Sequence, residues 1–159
     1  MRKIAIVLIL MISFDAVPWK NLASLATTIA KITSNNEKAL IDAVKILNKS
    51  GGVIYINTPI IKVSITDTIK LSGSVEGGII GKQQSGGTYP VIDFKSARNN
   101  GSTARGFTIS GSNQYMKYLM IQNAGDNGIW VSGSKNTLDH IIIMVIQVFN
   151  FLIMLFQIF

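Results

Sequence analysis

The sequence predicts an all-β fold, a parallel β-solenoid whose first coil is capped by an N-terminal α-helix. Three observations lead to this prediction: a repeat between residues 106 and 143, an amphipathic helix pattern ahead of it, and short glycine-bounded strand signals between the two. The chain has 159 residues, which is a one-domain length. It has no cysteine, which excludes disulfides, thiol catalysis and cysteine-based zinc sites.

The repeat is the strongest of these signals. Gly106–Ile121 aligns with Gly128–Ile143 at an offset of 22 residues, from position 106 to position 128. Four aligned pairs are identical: Gly106/Gly128, Ser110/Ser132, Gly111/Gly133 and Ser112/Ser134. Each copy carries two strand signals around a Gly-Ser turn, and self-similarity at this period marks units that stack around a common core. A hairpin repeat is the alternative, but the unit lacks two clean alternating strands.

An amphipathic helix is predicted over 35–49. Ser34 and Glu37 fit a capping box, with Ser34 as N-cap and Glu37 at N3. An apolar stripe at helical spacing follows, formed by Leu40, Ala43, Val44 and Leu47. Gly51 comes next, in the C′ position that commonly ends a helix. We expect this helix to cover the open first coil, because terminal repeats need a cap.

Short strand signals connect the helix to the repeat. Residues 53–56 are a run of β-formers, apolar and polar residues alternate over 63–71, and 91–94 is another short strand. Glycines punctuate the stretch from 77 to 87. The period of the sequence therefore changes from helical to β-like after the helix.

The formal net charge of +7 suits an anionic partner, such as an acidic polysaccharide, a nucleic acid or a membrane surface. Solubility alone is the simpler interpretation of this charge. The sequence has no dense lysine and arginine run with interleaved aromatic residues, so we predict no nucleic-acid partner.

Residues 1–26 are predicted to be a signal peptide, which indicates a secreted, extracellular protein. The basic Arg2 and Lys3 precede an uncharged apolar run from Ile4 to Phe14. This run is shorter than the roughly 20 residues that span a bilayer. Cleavage after Ala16 or within 23–26 fits equally, and a buried N-terminal strand is the alternative.

The C-terminal residues 143–159 form an anomalous hydrophobic tail, and after Asp139 the sequence has no Asp, Glu, Lys or Arg. Three interpretations remain open: a transmembrane anchor, a final coil, or an out-of-frame translation. The last is favoured because reading the codons of 143–148 one base earlier permits Asn-Gly-Asp-Thr-Gly, which is similar to residues 124–128. A membrane partner is expected only if the tail is a true part of the protein.

The helix, the Gly-Gly-Val-Ile-Tyr-Ile segment at 51–56 and above all residues 123–138 carry a family resemblance. Over residues 34–142, the predicted start of the solenoid domain, the chain resembles right-handed parallel β-helix proteins of the pectin/pectate lyase superfamily. It looks most like the family 9 polysaccharide lyases. The resemblance implies a right-handed parallel β-helix, incomplete at its C-terminal end, and a family that cleaves polygalacturonate in pectin by β-elimination.

In that chemistry a base removes the C5 proton while Ca²⁺ held by carboxylates bridges to the uronate. The resemblance implies a lysine base and an aspartate cluster on later coils, and these are absent here. No catalytic or metal-binding residue is therefore assigned, substrate-binding residues stay unassigned, and the chain as it stands is expected to be inactive. Two alternatives remain: a non-catalytic polysaccharide-binding solenoid, secreted or membrane-anchored, and a lyase or epimerase acting on another uronic-acid polymer.

Few titratable residues lie in the repeat: Lys117, Asp126, Lys135, Asp139 and His140. His140 aligns with Tyr118, and we expect an ordinary surface position for it because no orienting partner for a base is evident. Asp126 lies in a Gly-Asp-Asn-Gly turn that favours local hydrogen bonding. A single carboxylate is too few for a Ca²⁺ site.

Two pairs of side chains give further expectations. Phe107 and Trp130 are predicted to align and to stack along one face of the solenoid. The alternative is that these aromatic rings are exposed and bind sugars. Asn113 and Asn136 lie one position out of register. A continuous asparagine ladder is therefore not predicted.

Overall fold

The computed structural model describes residues 27–146 and 153–158. The predicted signal peptide at 1–26 lies outside the described residues, as do 147–152 and 159 of the tail. The helices are α1 (Glu37–Ser50) and α2 (Lys95–Asn99). The strands are β1 (Thr28–Ile32), β2 (Gly52–Ile56), β3 (Ile60–Lys62), β4 (Ile69–Leu71), β5 (Gly77–Gly81), β6 (Val91–Asp93), β7 (Phe107–Ile109), β8 (Gln114–Gln122), β9 (Ile129–Val131), β10 (Thr137–Ile146) and β11 (Ile153–Ile158).

The strands form two sheets that the chain revisits coil after coil. In the first sheet β1, β2, β5, β8 and β10 are successive parallel neighbours. Strands β3 and β6 join this sheet through the second half of β8, while β4, β7 and β9 form a separate parallel sheet. This topology confirms an all-β, parallel, solenoid-like fold.

The register of the last coils confirms the 22-residue repeat. Met116 pairs with Leu138 and Ile121 pairs with Ile143 across β8 and β10. The serines of the Gly-Ser turn also meet, since the Ser112 and Ser134 hydroxyls are 3.1 Å apart. The repeat in the sequence therefore corresponds to one coil of the solenoid.

The core lies between the sheets and runs along the stacked coils. One inward row of the first sheet consists of Ile54, Ile79 and Met116, which are directly paired and fully buried. Leu71, Phe107 and Ile109 of the second sheet belong to the same apolar cluster. Burial of such a continuous row is the main source of stability that stacked coils offer.

Helix α1 contributes its whole apolar stripe to this core, as predicted: Leu40, Ala43, Val44 and Leu47 are buried. The predicted N-cap is wrong. The side chain of Asn36, rather than Ser34, accepts the capping hydrogen bond from the Ala39 backbone N–H at 2.9 Å. The capping box does not form, because the Glu37 carboxylate is bound by a distant segment instead.

Both ends of α1 are tied to the first coil. The Glu37 carboxylate accepts hydrogen bonds from the backbone N–H groups of Ser64 and Ile65 and from the Ser64 hydroxyl, at 2.8, 2.9 and 2.5 Å. At the other end, the Asn48 side chain donates to the Lys70 carbonyl at 2.8 Å. Gly51 ends the helix as predicted, with φ of 69° and its N–H donating to Leu47.

The C-terminal tail leaves the parallel pattern. Strand β10 follows β8 in parallel register as far as Met144, and β11 then pairs antiparallel with β10, from Ile141 opposite Ile158 to Ile146 opposite Ile153. Neither of the described helices reaches the length and apolarity that a membrane crossing requires. The out-of-frame origin of residues 143–159 stays a prediction, and the nucleotide sequence around His140 is its direct test.

Candidate functional site

An outward row of side chains crosses the first sheet. It alternates with the buried row through Ile54, Ile79 and Met116, because successive residues of a strand point to opposite faces. Its members pair one after another in the parallel register: Lys31, Tyr55, Ile80, Lys117 and Asp139. Parallel stacking thus brings residues from five strands into a single line on the surface.

The chain bends at Tyr118, between the part of β8 that pairs with β5 and the part that pairs with β6. Tyr118 has φ of 56°, and His140 in the next coil has φ of 53°. Left-handed backbone is uncommon for residues other than glycine and is often found where a site needs it. Gly81 packs against this bend, where a Cβ atom would lie 2.0 Å from the Tyr118 carbonyl oxygen.

Three rings gather at this bend. The ring centroids of Tyr118 and His140 are 5.0 Å apart, and that of Tyr89 lies 5.8 Å from Tyr118 and 6.4 Å from His140. These distances are typical of favourable aromatic pairs. The alignment of His140 with Tyr118, expected from the repeat, therefore matches their side-by-side placement.

A polar network adjoins the rings. Asp139 Oδ1 lies 2.5 Å from His140 Nδ1, and Asp139 Oδ2 lies 3.5 Å from Lys117 Nζ. The Lys117 side chain is only 13% exposed, which shields this ion pair from water. The expectation that His140 lacks an orienting partner is wrong, because Asp139 supplies one.

Tyr115 also belongs to β8 and packs against Gly78, where a Cβ atom would touch its ring. Burial, assisted by the negative charge of Glu76 and by Tyr55, raises the pKa of Tyr115 to about 12. The hydroxyl, which is already protonated at neutral pH at the ordinary tyrosine pKa of about 10, is thus held further from ionisation.

A groove of about 600 Å³ opens beside the bend. We call it the tyrosine groove; its lining includes Thr28, Lys31, Tyr55, Asn57, Ile80, Lys82, Gln83 and Tyr118. Lys31 and Lys82 are exposed, and no carboxylate occurs among the described residues that line it. Tyrosine rings provide flat apolar faces with polar edges, and lysines provide cations, so the groove can accept a flat anionic ligand.

A second cluster lies beside the sheet of β4, β7 and β9. Arg105 Nε is 3.5 Å from Asp126 Oδ2, and the guanidinium carbon lies 4.2 Å above the centre of the Trp130 ring. Asp126 therefore has an ion-pair partner in addition to its place in a turn. Lys135 is exposed at a left-handed corner with φ of 57°.

The expected alignment of Phe107 with Trp130 is wrong. Phe107 pairs with Ile129, and Trp130 pairs with Thr108. The two aromatic residues differ by one position from the 22-residue register, and a shift of one residue moves a side chain to the opposite face of a strand. Phe107 is accordingly buried against Phe94, with centroids 5.9 Å apart, while Trp130 is 44% exposed.

The asparagines are out of register, as expected. The Asn136 side chain accepts a hydrogen bond from the Gln114 backbone N–H and donates one to the Gly111 carbonyl. It thus joins two coils without an asparagine partner. Asn113 occupies a left-handed corner with φ of 58°.

The described residues do not fit a Ca²⁺ site. Across 27–146, no group of three or more histidine or acidic side chains converges as metal ligands would. Ca²⁺ takes six to eight oxygen ligands, whereas Asp126 pairs with Arg105 and Asp139 with Lys117. The carboxyl group of Asp93 accepts a hydrogen bond from Asn123 at 2.8 Å.

Several residues of these two sites escaped sequence reasoning. Tyr55 and Lys82 lie on early coils whose lengths differ from the 22-residue repeat, so no alignment brings them together. Arg105 directly precedes the repeat, and nothing in its local pattern marks it. The sequence did single out Tyr118 through its alignment with His140, and it also singled out Asp126 and Trp130 of the second cluster.

The structure therefore combines a parallel, β-solenoid-like fold with a cationic, tyrosine-lined groove. A comparison with known proteins finds similarity to a protein named pectate lyase L from Paenibacillus polymyxa (strain SC2). It is 35% identical to this chain over 92 residues, which cover 57% of this chain and 20% of the relative. No family model matches the chain. No solved structure matches it either.

Proposed function

We propose that this chain forms coils of a right-handed parallel β-helix of the pectate lyase type and binds an acidic polysaccharide such as polygalacturonate in the tyrosine groove. The observation that carries the proposal is the similarity to pectate lyase L over 92 residues. That match spans about one fifth of the relative, so the proposal concerns binding by these coils.

The chemistry of the groove supports an acidic sugar polymer. The rings of Tyr55 and Tyr118 can pack against the C–H faces of sugar rings, as aromatic side chains do with flat apolar surfaces. Lys31 and Lys82 lie on the same surface and can pair with uronate carboxylates. Removal of residues 1–26 takes away Arg2, Lys3, Lys20 and Asp15, so the net charge falls from +7 to +5, which still favours the approach of a polyanion.

Cleavage by β-elimination is not assigned to any residue. It needs a base at the C5 proton and a cation at the uronate carboxylate. Asp139 pairs with Lys117, Asp126 with Arg105 and Asp93 with Asn123, and the described carboxylates do not form a Ca²⁺ ligand set. The proposed role of these coils is therefore to hold and orient the polymer.

We also propose that the protein is exported, with residues 1–26 as the signal peptide and the solenoid domain over 34–142. Expression in a secreting bacterium, followed by N-terminal sequencing of the protein in the medium, tests this. We expect the first residue of the secreted protein to be one of residues 17–27. Retention of Met1 on an intracellular protein would contradict the export proposal.

Polysaccharide binding is tested by retention in gels that contain polygalacturonate, with neutral galactan as the comparison polymer. We expect retention by polygalacturonate and none by galactan. The double variant Lys31→Gln/Lys82→Gln should weaken binding about tenfold or more, because charged hydrogen bonds each contribute about 1.5–3 kcal/mol. The matched control Lys45→Gln/Lys49→Gln removes the same charge from helix α1 and should change binding less than about twofold.

Two outcomes would count against this proposal. Equal loss in both double variants would indicate attraction by net charge rather than a groove. Absence of retention at low salt would contradict acidic polysaccharide binding altogether. Ultraviolet absorbance of the unsaturated product separately tests cleavage, and product from alginate but none from polygalacturonate would replace the substrate class.

A further inference from the structure

We propose that the cluster around Arg105 and Trp130 is a second carbohydrate site, which binds a single uronate unit on the other sheet of the solenoid. The substrate class rests on the proposed function, but the site is formed by different residues. We call it the Arg105 pocket; its lining consists of Thr68, Thr103, Ala104, Arg105, Thr108 and Asp126, with Trp130 beside it.

The pocket is built from the stacking of coils. Thr108 and Trp130 are neighbours in the parallel register of β7 and β9. The hydroxyls of Thr68 and Thr108 are 3.1 Å apart and form one wall. The cavity volume is about 210 Å³, below the roughly 300–1,000 Å³ of pockets for drug-sized ligands, which suits one sugar ring.

Arg105 is held in place before any ligand arrives. The Arg105 guanidinium carbon packs over the Trp130 ring at 4.2 Å from its centre, and Asp126 Oδ2 lies 3.5 Å from the Arg105 Nε. The Nε atom is buried without a hydrogen-bond partner, while the side chain as a whole is 37% exposed. Such a fixed, planar group loses little conformational freedom when it binds a carboxylate.

The donors of Arg105 are largely unused. A guanidinium carries five N–H donors, and no residue in the described part of the chain accepts a hydrogen bond from this one. Arg105 lines the cavity, so its unused donors are available to a ligand. We assign the ligand contact to the terminal N–H groups, because Nε faces Asp126.

The mixed chemistry of the pocket selects a uronate. The carboxylate of a uronate can pair end-on with the two terminal nitrogens of Arg105, while its hydroxyls can donate to Asp126 and to the threonine hydroxyls. The exposed part of the Trp130 ring can cover a C–H face. A small inorganic anion has no C–H face for the Trp130 ring, and a neutral sugar has no carboxylate for the terminal N–H groups of Arg105.

The two sites are separable by mutation. The tyrosine groove is lined by residues on and near β1, β2, β5 and β8 of the first sheet. The Arg105 pocket adjoins the second sheet and shares no lining residue with the groove. A substitution at Arg105 therefore tests the Arg105 pocket, and substitutions at Lys31 and Lys82 test the groove.

The test is a nuclear magnetic resonance titration of the full 159-residue chain, observing the indole N–H signal of Trp130. The probes are D-galacturonate, its neutral counterpart D-galactose, and acetate. We expect D-galacturonate alone to shift the Trp130 signal. Arg105→Gln should weaken this binding about tenfold or more, whereas Lys45→Gln on helix α1 should leave it unchanged. Trp130→Phe should weaken the binding less than Trp130→Ala, as read from the Arg105 Nε–H signal.

Specific outcomes would overturn the proposal. An equal response to acetate would mean a simple anion site, and an equal response to D-galactose would mean that Arg105 does not select the ligand. If no probe moves the Trp130 signal while polygalacturonate retention still depends on Lys31 and Lys82, the Arg105 pocket is refuted and the groove stands. If polygalacturonate is not retained and D-galacturonate does not shift the Trp130 signal, both sites are refuted.

Discussion

Two successive coils of this solenoid have similar sequences and unequal burial. In the coil that begins with β7, Phe107, Ile109 and Met116 are fully buried. Their register partners in the next coil are Ile129, Val131 and Leu138. Val131 is 43% exposed, and the other two are only partly buried.

The neighbours of each coil explain this difference. Strand β7 lies between β4 and β9, whereas β9 pairs only with β7 among the described strands. A residue of a solenoid is therefore buried by the coil stacked on it as much as by its own sequence. This is why a repeat recognised in a sequence does not by itself indicate how stable each copy is.

The opposite end of the stack shows how an exposed coil is covered. Helix α1 inserts Leu40 and Leu47, both fully buried, into the cluster that contains Ile54 and Ile79. Glu37 and Asn48 then hold its two ends with hydrogen bonds to the first coil. The first coil thus receives from a helix the apolar cover that later coils receive from a neighbouring coil.

The largest expected effect comes from a pair of identical substitutions at equivalent positions, Ile121→Ala and Ile143→Ala. These residues are partners in the register of β8 and β10, but Ile121 is fully buried and Ile143 only partly so. Ile121→Ala should lower the free energy of unfolding by about 2–5 kcal/mol, because it leaves a cavity. Ile143→Ala should lower it by less than about 2 kcal/mol.

Urea denaturation followed by circular dichroism measures both free energies. Ile80→Ala on the outward face is a suitable control for loss of an isoleucine without loss of core packing. Equal losses at Ile121 and Ile143 would contradict the difference in packing between the two coils, because they would mean that the last coil is as well packed as the one before it.

The second prediction concerns the attachment of helix α1 to the first coil and uses the substitution Glu37→Gln. Burial alone would raise the pKa of Glu37, but hydrogen bonds from the Ser64 side chain and from the backbone N–H groups of Ile65 and Ser64 outweigh it, so the net pKa is lowered. The amide of glutamine cannot accept all three as a carboxylate does. We expect a loss of about 1–3 kcal/mol in the free energy of unfolding at neutral pH.

The lowered pKa also sets the direction of a pH dependence. A carboxyl group with a lowered native pKa contributes stability that is complete above its ordinary value of about 4.3 and is lost as pH falls through the native pKa. The difference in the free energy of unfolding between wild type and Glu37→Gln should therefore become smaller in acid. Asp42→Asn, which removes a charge from the exposed face of the same helix, should have little effect at neutral pH. A difference that grows in acid would contradict the assigned role of Glu37.

Local and repeated signals predicted the main elements correctly, although the local capping box at Ser34 and Glu37 was wrong. The stripe of α1 and the 22-residue register were correct because helical spacing and glycine-bounded turns are local patterns. The pairing of Phe107 with Trp130 failed because two aromatic residues one position out of register lie on opposite faces of neighbouring strands.

The candidate sites were less predictable because they depend on distant contacts. Tyr55, Lys82 and Tyr118 line one groove only because parallel stacking superimposes coils of unequal length. The partnership of Arg105 with Trp130 likewise joins a loop to a strand in the next coil. Neither juxtaposition leaves a spacing that can be read along the chain.

The smallest predicted effect concerns the start of α1, where Ser34 and Asn36 both have side chains suited to an N-cap. The Asn36 side chain holds the Ala39 N–H, whereas the Glu37 carboxylate that a box starting at Ser34 requires is bound to Ser64 and Ile65. Asn36→Ala should therefore lower the free energy of unfolding by about 1 kcal/mol, and Ser34→Ala by less than about 0.5 kcal/mol. Hydrogen exchange should show the loss first in α1 and in β2–β4, with β8 unaffected. A larger effect at Ser34 than at Asn36 would support the capping box that starts at Ser34. It would also contradict the hydrogen bonds of the Glu37 carboxylate with Ser64 and Ile65.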